Sequence, residues 1–349
     1  MEKIEEILKK LSNAHGISGN EGEIREVIRG ELENHVDEIR VDNLGNIIAI
    51  KNGSEPSVMV AAHMDEIGLM VKYVDEKGFI RFIKCGGWFD QTLLNERVIL
   101  HTPEGKFFGV IGSKPPHVMK DEERKKVVKA DDMFIDIGAK NREEVEEKGI
   151  LPGTPVTLDR NFKNLLNGRV TGKALDDRVG IAMMIEGVRQ SKTDATIYAV
   201  GTVQEEVGLK GARTSAFGLE PSIAIVSEVS IAGDHPGIES KQSPLKLGKG
   251  PSITVADASG RGLITPAPVL KWITETAKEE NIPYQLDVSE SGTTDAAAIH
   301  ISRAGIPCGV ISVPTRYMHS GVEVIDMDDV KNGAALIAKS LERVKDYFL

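Results

Sequence analysis

The run Ser57–Met64, SVMVAAHM, constrains the fold more than any other stretch. Its apolar side chains fill consecutive positions, so the strand they form has to be covered on both faces. Such a strand belongs at the centre of a sheet sandwiched by helices. The flanking sequence supplies the helices. Residues 2–13 repeat apolar positions at Ile4, Ile7, Leu8 and Leu11, and a second helix near 21–35 aligns Ile24, Val27, Ile28 and Leu32, with Ser18 or Asn20 as its cap. A neighbouring strand is expected at Asn46–Ile50. From about residue 170 strands and helices alternate: helix 177–190, strands Thr196–Val203, Ile223–Val229 and Ser252–Val255, helix 268–280, strand Tyr284–Val288, helix 294–304, strand Gly309–Val313 and a last helix near 327–347. That alternation predicts an α/β fold, a mostly parallel sheet with helices on both faces.

Residues 67–167 read differently. Short β-like runs (GLMVKYV, FIRFIK, RVILHT, FFGVIG, MFIDIG, PVTL) are separated by turns such as Asp75–Gly78 and Pro103–Gly105. Many short strands with turn signals predict an all-β barrel or sandwich inserted into the α/β unit. The domains are therefore expected at 1–66 with 168–349, and at 67–167. The charged stretch Met119–Asp132 is expected to be a solvated loop or short helix.

Of the 349 residues, 43 are Lys or Arg and 53 are Asp or Glu, a net charge of −10 that argues against nucleic acid as a partner. No apolar run is long enough to span a bilayer. The N-terminal segment, with charges every few residues, lacks the apolar core of a secretory signal. Two cysteines, Cys85 and Cys308, cannot make a disulfide scaffold, so a reducing cytoplasm is the expected compartment.

In open α/β sheets, sites form at the carboxyl ends of strands. Ligand-type residues collect there: His63 and Asp65 after SVMVAA, Asp176 and Asp177 before a helix, Glu205 and Glu206 after TIYAVGTVQ, Glu228 at the end of IAIVS, and His319 after GVISVPTRYM. Each has a plain alternative. His63 fits a satisfied core histidine, Asp176 and Asp177 a helix cap, Glu205 and Glu206 a solvated strand end, Glu228 a lysine partner, and His319 a surface loop. Their coincidence on one sheet edge favours a metal site, since imidazole and carboxylate suit zinc and similar ions. A pair of ions would activate a water and polarise a carbonyl together. On an extended strand His63 and Asp65 point to one side, so Asp65 can accept the second ring N–H of His63 and fix its tautomer. A turn at Glu205–Glu206 lets one bind metal while the other serves as general base. His235 lies close to Glu228 in sequence, although a loop role fits it better, and His15, His35, His101, His117 and His300 are scattered.

At these residues the chain resembles the M42 family of metallo-aminopeptidases, the tetrahedral or deblocking aminopeptidases of archaea and bacteria. The likeness covers essentially the whole chain, through HGISGNEGEIR, AAHMDEIGLMV, GSKPPHVM, MFIDIGA, TGKALDDRVG, TVQEEVGLKGA, IAGDHPG, SGTTDAAAIH and PTRYMHS. The resemblance implies a clan-MH catalytic domain, with the β-rich insert acting as a dimerisation domain. It implies that Asp176 bridges two divalent ions, zinc or cobalt. His63 and Glu228 would complete one site, and Glu206 and His319 the other. Glu205 would be the general base, Asp65 would orient His63, and Asp177 would follow Asp176 through a cis peptide. It further implies a homo-oligomer, a dodecamer built from dimers, that admits short peptides.

Two positions depart from the family pattern: Glu228 stands where aspartate is usual, and Gly321 where proline is frequent. Glu228 opens an alternative within the clan, a carboxypeptidase or N-acyl-peptide hydrolase. A glucanase, suggested by paired carboxylates, would leave both histidines unexplained. An inactive assembly subunit would leave the full ligand set unexplained.

Overall fold

The computed structural model describes residues 3–348. Among these, eight strands form one mixed sheet in the order Glu38–Val41, Ile47–Lys51, Ala195–Thr202, Ser54–His63, Ile223–Ile231, Cys308–Thr315, Ser252–Ala256 and Gln285–Val288. The four central strands, from Ala195–Thr202 to Cys308–Thr315, run parallel. Antiparallel pairings flank them on both sides, and the outermost pair, Ser252–Ala256 with Gln285–Val288, is parallel again, so the sheet is mixed around a parallel centre.

Side-chain parity along the His63 strand explains the layering. Val58, Val60 and Ala62 pack into a core with Leu8, Ile24, Val179, Trp272 and Leu341, whereas Met59 and Ala61 pack on the opposite face with Ala212, Ala216 and Ile299. A period of two thus delivers apolar groups to both faces. Helices Lys3–Asn13, Gly22–Leu32, Leu175–Gln190, Ala267–Glu279 and Met327–Phe348 cover one face; Lys210–Leu219 and Ala296–Ile299 cover the other. The elements predicted from the sequence lie within a few residues of their expected bounds, with Glu2 of the predicted first helix outside the described residues; the helix Lys210–Leu219 and the strand Glu38–Val41 had no counterpart in the sequence reading. One prediction fails: in place of a helix over 294–304 there is a single turn, Ala296–Ile299. The chain then turns through Arg303 at φ 55° and Gly305 at φ 101°, left-handed values that no helix continues through. The cap of Gly22–Leu32 is also corrected. It is Glu21, with no side-chain cap bond, and Ser18 is engaged elsewhere.

Between the strands Ser54–His63 and Arg169–Gly172 the chain closes a six-stranded antiparallel barrel, ordered Gly68–Val74, Ile80–Cys85, Phe134–Asp136, Gly105–Gly112, Arg97–Thr102 and Pro155–Leu158. It has its own core, including Leu69, Phe82, Val98, Leu100, Ile111, Ile135 and Val156. The charged stretch within it is exposed and forms only short turns, among them the helix Asp121–Arg124. A small antiparallel sheet of Lys163–Asn164, Arg169–Gly172 and Glu323–Asp326 adjoins the approach to Asp176.

Candidate metal centre

The strand Ser54–His63 ends on His63, which is buried at the middle of the sheet. Its ring Nδ1 lies 3.0 Å from the carbonyl oxygen of Asp65 and 3.5 Å from that residue's Oδ1. An acceptor at Nδ1 keeps a proton there, so that Nε2, once it gives up its own proton to an incoming ion, offers its lone pair. That Nε2 points at carboxylates: 3.0 Å to Asp176 Oδ1, 3.7 Å to Glu228 Oε1 and 3.9 Å to Glu205 Oε2. His319, in the loop after the strand Cys308–Thr315, repeats the arrangement. Its Nδ1 is 2.7 Å from the carbonyl oxygen of Gly87, while Nε2 is 3.4 Å from Asp176 Oδ2 and 3.6 Å from Glu206 Oε1. Gly87 belongs to the barrel segment, and a Cβ there would sit 2.7 Å from His319 Nδ1, so the close approach requires glycine.

Asp176 therefore presents one oxygen to each histidine. Three sets have ligand atoms within 4.8 Å of one another: His63, Asp176 and Glu228; Asp176, Glu206 and His319; and His63, Glu205 and Glu206. Among the described residues no lysine or arginine pairs with Asp176, Glu205, Glu206 or Glu228. Crowded carboxylates with free imidazole nitrogens and no cationic partner are the donor set that divalent ions take up. The residues present fit such ions.

The charges perturb one another strongly. Burial, then the negative charge of Asp295, Glu206 and Asp176, pushes Glu205 well above the ordinary carboxylate range. Burial and the Asp176 charge raise Glu206 to about 7. Burial, then the Asp177 charge, raises Glu228 well above the ordinary carboxylate range. Against its own burial, Asp176 is held below the usual range by hydrogen bonds from His319 and His63. The bond to Asp176 raises His319 to about 10.

Asp65 does more than the sequence suggests. Its carboxylate accepts the Ser18 hydroxyl at 2.6 Å and the backbone N–H groups of Glu205 and Glu206 at 2.9 and 3.3 Å. It thus pins the turn, entered through Gln204 at φ 55°, that aims both glutamates. Asp177 follows Asp176 through a cis peptide and caps the helix beyond it: its Oδ1 accepts the Gly180 N–H at 3.0 Å, its Oδ2 that of His63 at 3.2 Å. The cap reading thus holds for Asp177, while Asp176 faces the histidines. His235 is half-buried against the Tyr317 ring and belongs to none of the three sets. Away from the centre, His15 and His101, unconnected in sequence, lie with tilted rings 4.7 Å apart and share the Thr157 hydroxyl.

A family model described as M42 glutamyl aminopeptidase matches residues 45–336. The chain belongs to the M42 peptidase family. Membership makes it a hydrolase of the aminopeptidase type. It is 39% identical to lysyl aminopeptidase of Pyrococcus furiosus, over 97% of each chain. Aminopeptidase APDkam598 from Desulfurococcus kamchatkensis superposes with a TM-score of 0.94 at 41% identity, over 98% of this chain and 95% of that one. The TET1 peptidase of Pyrococcus horikoshii, which can assemble into a tetrahedron or a large octahedral shell, gives 0.87 at 34% identity, over 97% of this chain and 98% of that one.

Proposed function

We propose that this M42 aminopeptidase works through two divalent ions, zinc or cobalt, bridged by Asp176. The observation that carries the reading is the placement of the two Asp176 oxygens, one toward Nε2 of His63 and one toward Nε2 of His319. His63 and Glu228 complete one site; Glu206 and His319 complete the other. Bound ions supply Lewis acidity, polarising the scissile carbonyl and acidifying a water. Glu205, beside both sites and made more basic by burial and neighbouring carboxylates, takes a proton from the attacking water and passes it to the leaving amine. Asp65 holds Glu205 in place through its backbone N–H and faces the protonated nitrogen of His63.

The catalytic domain comprises 1–66 and 168–349, and the barrel domain, 67–167, is the dimerisation domain of a dodecamer built from dimers. The barrel leaves Phe108 at 66% and Val110 at 48% exposure, neighbours on one strand that a partner copy would cover. Substrates are short peptides. Their first side chain is not fixed by this centre, since the family description says glutamyl and a relative is lysyl. No helix among the described residues is long and apolar enough to cross a membrane, in keeping with a cytoplasmic enzyme.

The test uses one short peptide in free, N-acetylated and C-amidated forms, with and without chelator, read by mass spectrometry. Stepwise loss from the free amino end, blocked by acetylation and by chelator, is the expected result. Loss from the carboxyl end, or removal of the acetyl group alone, would make Glu228 the mark of a different reaction. Glu205→Gln should abolish turnover with ion content near wild type; retained activity would sink the base assignment.

A further inference from the structure

We infer that Glu323 is a positioning residue of this centre: its carboxylate clamps Asp176 to His319 and so sets the site of the ion between them. The inference rests on the two-ion reading above.

Glu323 opens the strand Glu323–Asp326 and is 2% exposed. Its Oε2 accepts the backbone N–H of Asp176 at 3.1 Å, and its Oε1 accepts the backbone N–H of His319 at 3.0 Å. One rigid, planar group thus spans two segments far apart in sequence. Its register partner on the adjoining strand is Gly172, four positions before Asp176, so the pairing of strands carries the acid under the centre.

Both clamped segments need holding. The chain reaches Asp176 through Ala174 at φ 55°, and His319 itself sits at φ 59°, with Tyr317 at 60°. Left-handed geometry at non-glycine residues costs on the order of 1 kcal/mol or more each and persists only where surroundings over-determine it. Among the described residues no lysine or arginine pairs with Glu323, so the two N–H groups are what the structure provides for this buried acid. A side-chain amide offers one oxygen, which reaches only one of these two N–H groups. A carboxylate satisfies both at once, and at fixed separation, which is what two ligands of one ion require. Partners of metal ligands at this remove typically govern about 10–100-fold in metal affinity.

The experiment uses the full-length protein. Glu323→Gln keeps the shape but turns an NH2 toward one of the two N–H groups. Zn2+ affinity is measured by chelator competition, and Co2+-loaded protein is followed by visible absorption. His319→Ala serves as the reference for loss of the ion on that side. The wild type is expected to take two ions. Glu323→Gln should bind one of them about 10–100-fold more weakly, and the cobalt band it loses should be the one lost in His319→Ala. Its melting temperature in EDTA should stay within a few degrees of wild type. If Glu323→Gln does not fold, Glu323→Asp decides: it retains both oxygens, withdraws them by one C–C bond, and should show the same selective loss. Two ions bound with wild-type affinity, or equal weakening of both, would overturn the role of Glu323. A wild-type protein that takes up no divalent ion would overturn the two-ion reading instead.

Discussion

Asp65→Asn separates orienting a histidine from orienting the glutamates. The native carboxylate accepts three donors, the Ser18 hydroxyl and the N–H groups of Glu205 and Glu206. An asparagine oxygen can keep one N–H, and Ser18 can reverse to accept from the new NH2. The other backbone N–H then faces a donor, at a cost of about 1–3 kcal/mol, and the retained bond loses roughly 1 kcal/mol of charge assistance. A total of about 2–4 kcal/mol acts on the turn that aims Glu205. If it all appears in the transition state, kcat/KM falls roughly 30- to 900-fold. Ion binding should survive, because the carbonyl of residue 65, a backbone group, lies nearest the ring N–H of His63. The assay is hydrolysis of an aminoacyl p-nitroanilide panel at saturating divalent ion, beside ion content by mass spectrometry. A change under threefold in kcat/KM, or loss of ions with the turn intact, would refute this reasoning.

Gly87→Ala should weaken ion binding about 10–100-fold in chelator competition, because its Cβ would meet His319 Nδ1 at 2.7 Å and displace the ring. A second expectation concerns acid stability. Burial, then the Lys106 charge, lowers His101 from the ordinary value of 6.5 to about 4. Below pH 6.5 the unfolded chain binds a proton that the folded chain refuses, so stability falls as pH drops from 6.5 to about 4. His101→Gln, which can still bond Thr157, should flatten that slope by on the order of 1 kcal/mol after solvent screening. Denaturant midpoints at pH 7 and pH 4.5 would show it, and an unchanged slope would count against the assignment.

The elements legible in the sequence are those with an unbroken local signal. The period of Ile4, Ile7, Leu8 and Leu11 marks its helix, and the double-faced run to His63 marks the central strand. The turn-punctuated runs of 67–167 mark the barrel. His63, Asp65, Asp176, Glu205, Glu206, Glu228 and His319 were findable because ligand-type side chains stood at successive strand ends, and the structure brings them together. What escaped was set by distant partners. Glu323 looks like the polar member of an alternating VEVI strand; only its register with Gly172 turns it inward. Ser18 reads as a helix cap until Asp65 claims it. His15 and His101 meet only when the barrel packs against the first loop. Gly87 left no trace at all, since it acts through a carbonyl that every residue has. The run AAAIH promised a longer helix, and the backbone reversal at Arg303 ended it.

That carbonyl also ties the site to the packing of barrel against sheet. Gly87 is reached from the barrel strand Ile80–Cys85, whereas His319 follows a strand of the large sheet. The barrel and the sheet have separate apolar clusters, and the imidazole finds the partner for its Nδ1 proton only where the two meet. A shift of the barrel by an ångström would therefore be felt as a turn of the His319 ring, so the insert is a hinge pin for the centre as well as a wall beside it.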